Sequence, residues 1–322
     1  MTSTTAALAR PAPIASAKDL ETLLGQARYL ADPATALTAW LGLRMARPVL
    51  LEGPAGVGKT DLARAAAEAL GRPLVRLQCY EGLDEAKALY EWDYAKQMLY
   101  TQLLREAIAR EVAGTTTLAE AAGIVAKSEA TFFSKHFLIA RPLLFALQSP
   151  TPVVLLIDEV DRADPEFEAF LLEVLSELQV TIPELGTIKA DPDDPPLVFL
   201  TSNGTREMTE ALRRRCLHAF LDYPPPSREI AILGLVIPGI EAALAAQIVA
   251  FVAGLRALDL RKSPAISETI DWARAMLLLG KSALDKTVVQ ETLGLLLKHQ
   301  GDKLDVEPKL DALLRNATPK AP

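Results

Sequence analysis

Short apolar runs alternate with helical repeats along the first two thirds of the chain. Residues 48–51, 73–77, 152–157 and 197–201 are mostly aliphatic runs bounded by turn residues, which predicts buried strands. The run 152–157 is unbroken by polar residues, as is typical of a central parallel strand covered on both faces. Because helical spacing separates the runs, the pattern predicts an α/β fold with a parallel sheet and helices on both faces.

This alternation stops at the proline run 224–226. Beyond it, up to about His299, only helical periodicity appears, and we expect the final residues to be frayed. The pattern therefore predicts three parts: a flexible N-terminal tail over 1–20, an α/β core over 21–224, and a smaller all-helical domain over 225–322.

Two segments depart from simple strand and helix alternation within the predicted core. Residues 81–149 are acidic at the start, helical in pattern and too long for a simple crossover, which indicates an insertion. Residues 180–190 contain two short β-prone runs, which predicts a hairpin, and Pro183 marks it as an edge rather than the centre of a sheet. Between them, Asp164 and Pro165 predict a helix start with Asp164 as the N-cap, followed by apolar residues at core-facing spacing.

A glycine-rich segment between the first strand and the next helix matches a phosphate-binding motif. The segment GPAGVGKT at 53–60 fits G-x-x-x-x-G-K-[ST] in the strand, turn and helix context that the motif requires. Glycines let backbone N–H groups turn toward phosphate oxygens, and the start of the helix adds partial positive charge. Lys59 would place a full charge on the phosphates, and the Thr60 hydroxyl would bind Mg²⁺. The predicted nucleotide-binding residues are Gly53, Pro54, Ala55, Gly56, Val57, Gly58, Lys59, Thr60 and Asp61.

Polar side chains also follow two of the apolar runs. Asp158 is the predicted carboxylate that holds the metal through water, since ligands bind at the carboxyl edge of a parallel sheet. Glu159 would polarise the attacking water; the alternative is that it is one of several surface acids in this stretch. Asn203 reaches the same edge, where its amide would position water, although Asn before Gly204 is also ordinary turn chemistry.

Three consecutive arginines, Arg213, Arg214 and Arg215, lie at a predicted helix end. On a helix they point about 100° apart, so they cannot share one role. At least one is explained by the negative end of the helix dipole. Another could act on a nucleotide as an arginine finger, a group worth about 10³ to 10⁵ in rate.

Composition and charge narrow the classes of partner. The chain of 322 residues has 34 basic and 41 acidic residues, a formal net charge of −7, and 6% aromatic residues. No global positive field is therefore present to hold nucleic acid or an anionic membrane. No window approaches the roughly 18 uninterrupted apolar residues of a membrane span. We expect no membrane insertion, and nucleic-acid binding is disfavoured, with a local basic groove as the open alternative.

Cysteine usage and the N-terminus favour a reducing compartment. Cys79 and Cys216 lie far apart without a CxxC spacing, which predicts two buried thiols rather than a disulfide framework. The three histidines lack the spacing of a zinc site. Arg10, Pro11 and Pro13 interrupt the apolar stretch that a signal peptide would need. The sequence therefore predicts a cytoplasmic protein.

These motifs, in this order, resemble those of AAA+ ATPases and, more narrowly, of the MoxR family. The matching segments are GPAGVGKT at 53–60, LLIDEVDRAD at 155–164, TSN at 201–203 and ALRRRCLHAFLDYP at 211–224. The resemblance implies a three-layer αβα P-loop core with a helical C-terminal lid, ATP and Mg²⁺ as cofactors, and a homo-oligomeric ring, usually a hexamer. It also implies a partner protein with a von Willebrand factor A domain.

The resemblance assigns roles to particular residues. It implies that Asn203 is sensor 1, and that an arginine before the usual Phe of an Arg-Phe pair reaches the neighbouring subunit's nucleotide. Here that pair reads Arg215-Cys216, so Arg215 is the first candidate and Arg214 the second. It also implies that 81–149 is a helix-2 insertion and that the hairpin at 180–190 is a pre-sensor hairpin facing the pore.

One family feature is missing from this chain. The sensor 2 arginine expected near the helix start at 263–268 is absent, and Arg261 or Lys262 are the substitutes that the sequence offers. The alternative is that the lid senses nucleotide weakly.

Further segments are most similar to the CoxD-type branch: LQCYEGLD at 77–84, EFEAFLLEVLSELQVTIPELGTIKA at 166–190 and SETIDWARA at 267–275. This resemblance implies an ATPase ring that remodels or activates a client metalloenzyme, such as the molybdenum hydroxylase carbon monoxide dehydrogenase. Two other classes stay open. One is an ATP-gated assembly scaffold with little hydrolysis, and the other is a nucleic-acid-acting AAA+ motor.

Overall fold

A computed structural model describes residues 14–115, 117, 119–120, 123 and 133–317. Most of the predicted N-terminal tail, the last five residues and part of the predicted insertion therefore lie outside the described residues. The strands are β1 (Val49–Glu52), β2 (Leu74–Gln78), β3 (Tyr90–Trp92), β4 (Leu138–Ala140), β5 (Val154–Asp158), β6 (Gln179–Ile182), β7 (Gly186–Lys189), β8 (Leu197–Ser202) and β9 (Leu217–Phe220).

Helices precede, separate and follow these strands. They are α1 (Ala17–Gln26), α2 (Pro33–Met45), α3 (Lys59–Leu70), α4 (Glu85–Ala88), α5 (Tyr94–Ala113), α6 (Pro142–Gln148), α7 (Pro165–Glu177), α8 (Glu210–Arg215), α9 (Pro226–Val236), α10 (Ala242–Arg256), α11 (Ile266–Leu278), α12 (Lys286–Leu296), α13 (Gln300–Val306) and α14 (Leu310–Ala317). Among the residues described, none of these helices combines the length and the apolar character that crossing a membrane requires.

Five strands form a parallel sheet in the order β2-β5-β8-β1-β9. β5 pairs with β2 from Val154 to Asp158, and its residues up to Ile157 pair with β8. The Leu217 N–H donates to the Pro48 carbonyl and the Leu221 N–H to the Glu52 carbonyl, so β9 advances in step with β1. All residues of β5 and β8 are buried, as continuous apolar strands in a parallel sheet require. The predicted fold class, a parallel α/β sheet with flanking helices and a helical C-terminal region, is confirmed.

Contacts divide the chain into two compact units. The first comprises the described residues among 1–40, 51–70 and 219–322, and the second those among 41–50 and 71–218. These units are defined by contacts and do not test the predicted domain boundaries at residues 20 and 224, which stay a prediction.

The core of the second unit lies where the sheet meets α6 and α7. Apolar residues of α7 recur at helical spacing, and Phe167, Leu171 and Val174 are buried against the strands. The role predicted for Asp164 is wrong in one respect. It occupies the N-cap position, but its carboxylate accepts a hydrogen bond from the Gly82 N–H at 3.0 Å instead of capping α7. A neighbouring loop competes for the same acceptor.

The pattern of residues 81–149 predicted helices, but the described part of this segment also contains two strands. β3 and β4 pair antiparallel there, with Trp92 opposite Leu138 and Tyr90 opposite Ala140. Aromatic and β-branched residues favour a pleated surface, and this pairing joins segments too distant for a local pattern to show. In the segment 180–190, where the sequence predicted a hairpin, β6 and β7 pair antiparallel, with Val180 opposite Ile188.

The helices after Pro226 bury their own core in the first unit. Phe251 and Trp272 lie in contact, with ring centroids 5.3 Å apart, and both are fully buried. The Trp272 indole N–H donates to the Thr292 hydroxyl at 2.8 Å, which satisfies the polar edge of the ring. The buried Glu229 carboxylate accepts two hydrogen bonds from Arg256 at 2.7 and 2.9 Å. These contacts bind α9, α10, α11 and α12 into one layer.

Candidate functional site

The glycine-rich loop lies in the first unit, between β1 and α3. Gly53, Gly56 and Gly58 have φ values of 149°, 77° and 99°, a region that residues with a side chain rarely adopt. α3 begins at Lys59, so the loop opens directly onto a helix N-terminus. This is the backbone arrangement that turns N–H groups toward an anion.

Two of these glycines are also required by close approach of other chain segments. A Cβ at Gly53 would lie 1.9 Å from the Leu221 carbonyl oxygen, and one at Gly56 would lie 2.6 Å from Ala265 Cβ. The Ser267 N–H donates to the Gly56 carbonyl at 3.3 Å. The start of α11 therefore packs directly on the loop.

Replacing Gly53 with alanine should lower the free energy of unfolding by about 2–5 kcal/mol, because alanine disfavours this backbone conformation and its Cβ would clash with the Leu221 carbonyl. Urea denaturation measures this change. Gly25→Ala is the matched control, since an added Cβ there meets nothing within 4 Å. Equal stability of the two variants would contradict the described geometry.

Lys59 is buried, with 6% of its surface exposed, and its ammonium group lies against the loop. Nζ donates to the Gly53 carbonyl at 2.6 Å and to the Pro54 carbonyl at 2.7 Å. Both bonds hold a positive charge inside the ring of loop residues. The predicted role of Lys59 at the phosphates is consistent with this position.

A cavity of about 450 Å³ adjoins the loop within the first unit. Its wall combines aromatic and aliphatic side chains with charged ones, as small-molecule sites do. The lining residues include Tyr29, Val57, Gly58, Asp61, Phe220, Tyr223, Arg228, Ile266, Ile270 and Arg274. Val57, Gly58 and Asp61 extend this cavity to the phosphate loop.

Tyr29 is a wall residue that lies close to the loop. A Cβ built on Gly58 would lie 3.9 Å from the Tyr29 hydroxyl oxygen. Among the described residues this hydroxyl makes no hydrogen bond, so it can serve a ligand. Burial raises the pKa of Tyr29, and the charge of Asp32 adds to the effect, so the group stays a donor at neutral pH.

Arginine side chains line this cavity. Arg228 donates to the Leu30 carbonyl at 2.8 Å and lines the cavity together with Arg274. The backbone N–H groups of Arg261 and Lys262 donate to Asp302, and their role as substitutes for a sensor 2 arginine stays a prediction. Sequence reasoning missed Arg274; the helical spacing of α11 alone does not show which side of the helix faces a cavity.

The acids that follow β5 lie in the second unit. Asp158 is 3% exposed, and its Oδ1 accepts a hydrogen bond from the Thr201 hydroxyl at 2.5 Å. Its Oδ2 accepts from Arg76 Nη2 at 2.5 Å and from Nε at 3.1 Å. Asp158 is thus a buried carboxylate at the carboxyl end of the interior strand β5, held by partners on both neighbouring strands.

Glu159 adopts a left-handed conformation with φ 56°. This turn lets its N–H donate to the Thr201 hydroxyl at 2.9 Å. Its carboxylate accepts from Gln78 Nε2 at 3.0 Å and from Arg162 at 2.8 Å, and the side chain is 32% exposed. A non-glycine residue in this region costs about 1–3 kcal/mol and is typical of functional sites.

Asn203 follows β8 at the same edge of the sheet, as its position in the sequence predicted. Its N–H donates to Asp161 Oδ2 at 3.2 Å, and the same oxygen accepts from the Thr205 N–H and hydroxyl at 2.9 and 2.7 Å. Burial acts to raise the pKa of Asp161, but these hydrogen bonds outweigh it and the pKa lies below its usual value. Asp161, which the sequence analysis missed, therefore holds the Asn203 loop.

The arginines lie in the second unit at the end of α8, as predicted. Arg214 pairs with Glu210 one helical turn earlier. Arg215 is exposed and, in the part of the chain that the structure describes, its side chain makes no hydrogen bond or ion pair. Arg214 and Arg215 are thus distinguished by their partners.

Several residues of this edge were not predicted from the sequence. Arg76 and Gln78 lie on β2 opposite Leu156 and Asp158, and Thr201 lies near the end of β8. The sequence contained a signal for them. Arg76 and Gln78 are polar residues two positions apart in an otherwise apolar strand, so they share one face of it.

Solved structures that match this chain include two proteins of low sequence identity. The RuvB Holliday junction branch migration motor of Thermotoga maritima has 15% identity and a TM-score of 0.41, with 79% of this chain and 66% of that chain covered. A protein of Cytophaga hutchinsonii described as a candidate ATPase has 14% identity and a TM-score of 0.45, with 93% and 94% covered.

A curated relative and a family model also match. The gas vesicle ATPase GvpN of Ancylobacter aquaticus is 28% identical over an alignment of 243 residues that covers 72% of this chain and 61% of that protein. The chain therefore spans about three fifths of the length of this relative. The family model described as AAA domain (dynein-related subfamily) matches residues 48–216, more than half of the chain.

Proposed function

The chain belongs to the dynein-related subfamily of AAA domains, and on this premise we propose that it is a Mg²⁺-dependent ATPase that acts as a homo-oligomeric ring. The observation that carries the proposal is the phosphate loop. Three glycines hold conformations that need glycine, a helix begins at Lys59, and a cavity adjoins the loop. Together they suit a nucleoside triphosphate, with its phosphates on the loop from Gly53 to Asp61 and its base in the cavity.

The proposed metal ligands are Thr60 and, through water, Asp158. Both offer the hard oxygen atoms that Mg²⁺ prefers, and Asp158 is a buried carboxylate whose oxygens already accept hydrogen bonds from Thr201 and Arg76. When bound, Mg²⁺ supplies positive charge against the charge that develops on the phosphates.

Glu159 is the proposed general base. Its side chain is partly exposed, so water can reach it, and Gln78 and Arg162 orient its carboxylate. Asn203, held by Asp161, is proposed to position the water.

Arg215 is the proposed group that acts on the nucleotide of a neighbouring subunit. Support comes from the contrast with Arg214, whose guanidinium pairs with Glu210, whereas the guanidinium of the exposed Arg215 has no hydrogen-bond or ion-pair partner among the described residues. A planar guanidinium suits a phosphate group that carries growing negative charge.

The proposed biological role is to remodel or activate a client metalloenzyme in the cytoplasm, together with a von Willebrand factor A domain protein. A molybdenum hydroxylase such as carbon monoxide dehydrogenase is the proposed client class. Support for this part is the sequence resemblance at 77–84, 166–190 and 267–275. The hexameric ring is likewise proposed from the resemblance.

Glu159→Gln tests the proposed reaction. We expect this variant to bind ATP as the unchanged protein does, and to release phosphate at least about 100-fold more slowly, because an amide cannot accept the proton of water. Phosphate release and binding of a fluorescent ATP analogue measure the two properties. Glu166→Gln, at an exposed acid of α7, is the matched control. Normal turnover by Glu159→Gln would refute the assignment.

An ATP-gated scaffold with little hydrolysis is the second candidate. The observation that favours it is that both carboxylates are already engaged, Asp158 by Arg76 and Glu159 by Gln78 and Arg162. A single-turnover assay on the purified protein distinguishes the candidates, since a scaffold would hold ATP uncleaved.

A further inference from the structure

Arg47 contacts the end of α8 that carries the arginines. Its Nε donates to the Arg215 carbonyl at 3.2 Å, and its Nη2 donates to the Arg214 and Arg215 carbonyls at 3.0 Å each. The Cys216 carbonyl lies 3.5 Å from the same Nη2. One guanidinium thus satisfies two of the backbone acceptors that this helix leaves unpaired in its last turn, the Arg214 and Arg215 carbonyls.

Arg47 is itself held firmly by its backbone. Ala46 has φ 50°, and the Arg47 N–H donates to the Gly42 carbonyl at 3.1 Å, which together close α2 with a Schellman motif. Gly42 has no room for a side chain, because an added Cβ would lie 2.3 Å from Val49 Cγ2. The residue after Arg47, Pro48, accepts a hydrogen bond from the Leu217 N–H at 2.8 Å. Arg47 therefore has a fixed base.

The opposite end of α8 is held by a buried carboxylate. Glu168 is fully buried, and its Oε2 accepts from the Thr209 N–H at 2.8 Å while Arg206 pairs with its other oxygen. A helix of six residues is too short to be stable alone, so its position depends on tertiary contacts, which include the fully buried Leu212 and the contacts at its two ends. At the end that carries Arg215, the Arg47 guanidinium binds the Arg214 and Arg215 carbonyls, and the His218 ring lies 3.0 Å from the Arg213 carbonyl.

We propose that Arg47 is a positioning residue that aims Arg215 at the nucleotide of the neighbouring subunit. This inference rests on the trans role proposed above for Arg215. Without the guanidinium, the last carbonyls of α8 would accept hydrogen bonds from water instead, and the last turn of the helix would be less ordered. A misplacement of about 1 Å at a reacting group can cost about 100-fold in rate. Arg47 thus acts through Arg215 and touches no substrate.

Mixed rings test this role, because they separate the subunit that donates an arginine from the subunit that hydrolyses. A Lys59→Ala subunit has a defective nucleotide loop but an intact Arg215, and an Arg215→Ala subunit has the reverse. Mixing them should restore turnover where the two adjoin. Arg47→Ala is then placed either in the Lys59→Ala donor or in the Arg215→Ala receiver, and phosphate release is measured.

We expect Arg47→Ala in the donor to lower the restored turnover at least about tenfold, and the same change in the receiver to leave it unaltered. Arg47→Lys in the donor should restore part of the loss, since an ammonium reaches fewer of the three carbonyls at once. Arg44→Ala, at an exposed arginine of the same segment that donates to none of these carbonyls, is the matched control.

The outcomes separate this inference from the proposed function. If Arg47→Ala and Arg47→Lys each lowered the restored turnover equally in the donor and in the receiver, the defect would be general. That result would overturn the positioning role. No loss from either placement would overturn it too, while leaving Arg215 as the trans group. Absence of any restored turnover in the parent mixture would overturn the trans role of Arg215 and, with it, this inference.

Discussion

Replacing Arg215 with alanine is expected to slow ATP turnover about 10³- to 10⁵-fold while leaving nucleotide affinity unchanged. The reason is that the guanidinium would meet a phosphate only as negative charge develops in the transition state, and would belong to a different subunit from the loop that binds the nucleotide. Steady-state phosphate release, together with titration of a fluorescent nucleotide, measures both quantities.

Arg214→Ala is the matched control for this prediction. Arg214 pairs with Glu210 on the exposed surface of α8, and such a pair contributes about 0.3–0.5 kcal/mol. Its loss should therefore change turnover little. Should the two variants behave in the opposite way, Arg214 would be the acting group. Equal and small effects of both would show that neither arginine acts on a nucleotide.

Lys59→Ala is expected to weaken ATP binding about 1,000-fold. The substitution removes the full positive charge that the loop holds and leaves the Gly53 and Pro54 carbonyls without their buried donor. Hydrogen bonds to a charged group contribute about 1.5–3 kcal/mol each, and each 1.4 kcal/mol is a tenfold change in affinity. Calorimetric titration with ATP measures the loss directly.

Lys87→Ala serves as the control for the Lys59 variant. Lys87 is an exposed lysine of α4 that pairs with Asp84, so its loss removes the same charge from the surface. Circular dichroism and thermal unfolding should show that both variants fold. Unimpaired ATP binding by a folded Lys59→Ala protein would be incompatible with a nucleotide on this loop.

Much of the fold and part of the site could be predicted because they depend on patterns of a few neighbouring residues. The spacing of Gly53, Gly56 and Gly58 predicted a loop that only glycine can form, and the structure has positive φ at all three. The unbroken apolar run before Asp158 predicted a central strand, and β5 is buried along its whole length. Asn203 follows a second such strand, so parallel pairing brings both residues to one edge.

Sequence reasoning was weaker where a contact joins distant segments. The pairing of β3 with β4 inside the predicted insertion was missed, because neither strand has a local signal as strong as the helical pattern around it. Asp164 was assigned to capping by its position, but the Gly82 N–H takes its carboxylate. In both cases tertiary pairing outweighed the local preference.

The sequence by itself determined the four apolar strands β1, β2, β5 and β8, the phosphate loop and the acids at the end of β5, because glycine conformation and apolar spacing act over a few residues. Only the tertiary structure decided which partners these groups have. Arg76 is 82 positions from Asp158, and Arg47 is 168 positions from Arg215. Such pairs depend on strand register and on how helix ends meet, and a spacing read along the chain contains neither.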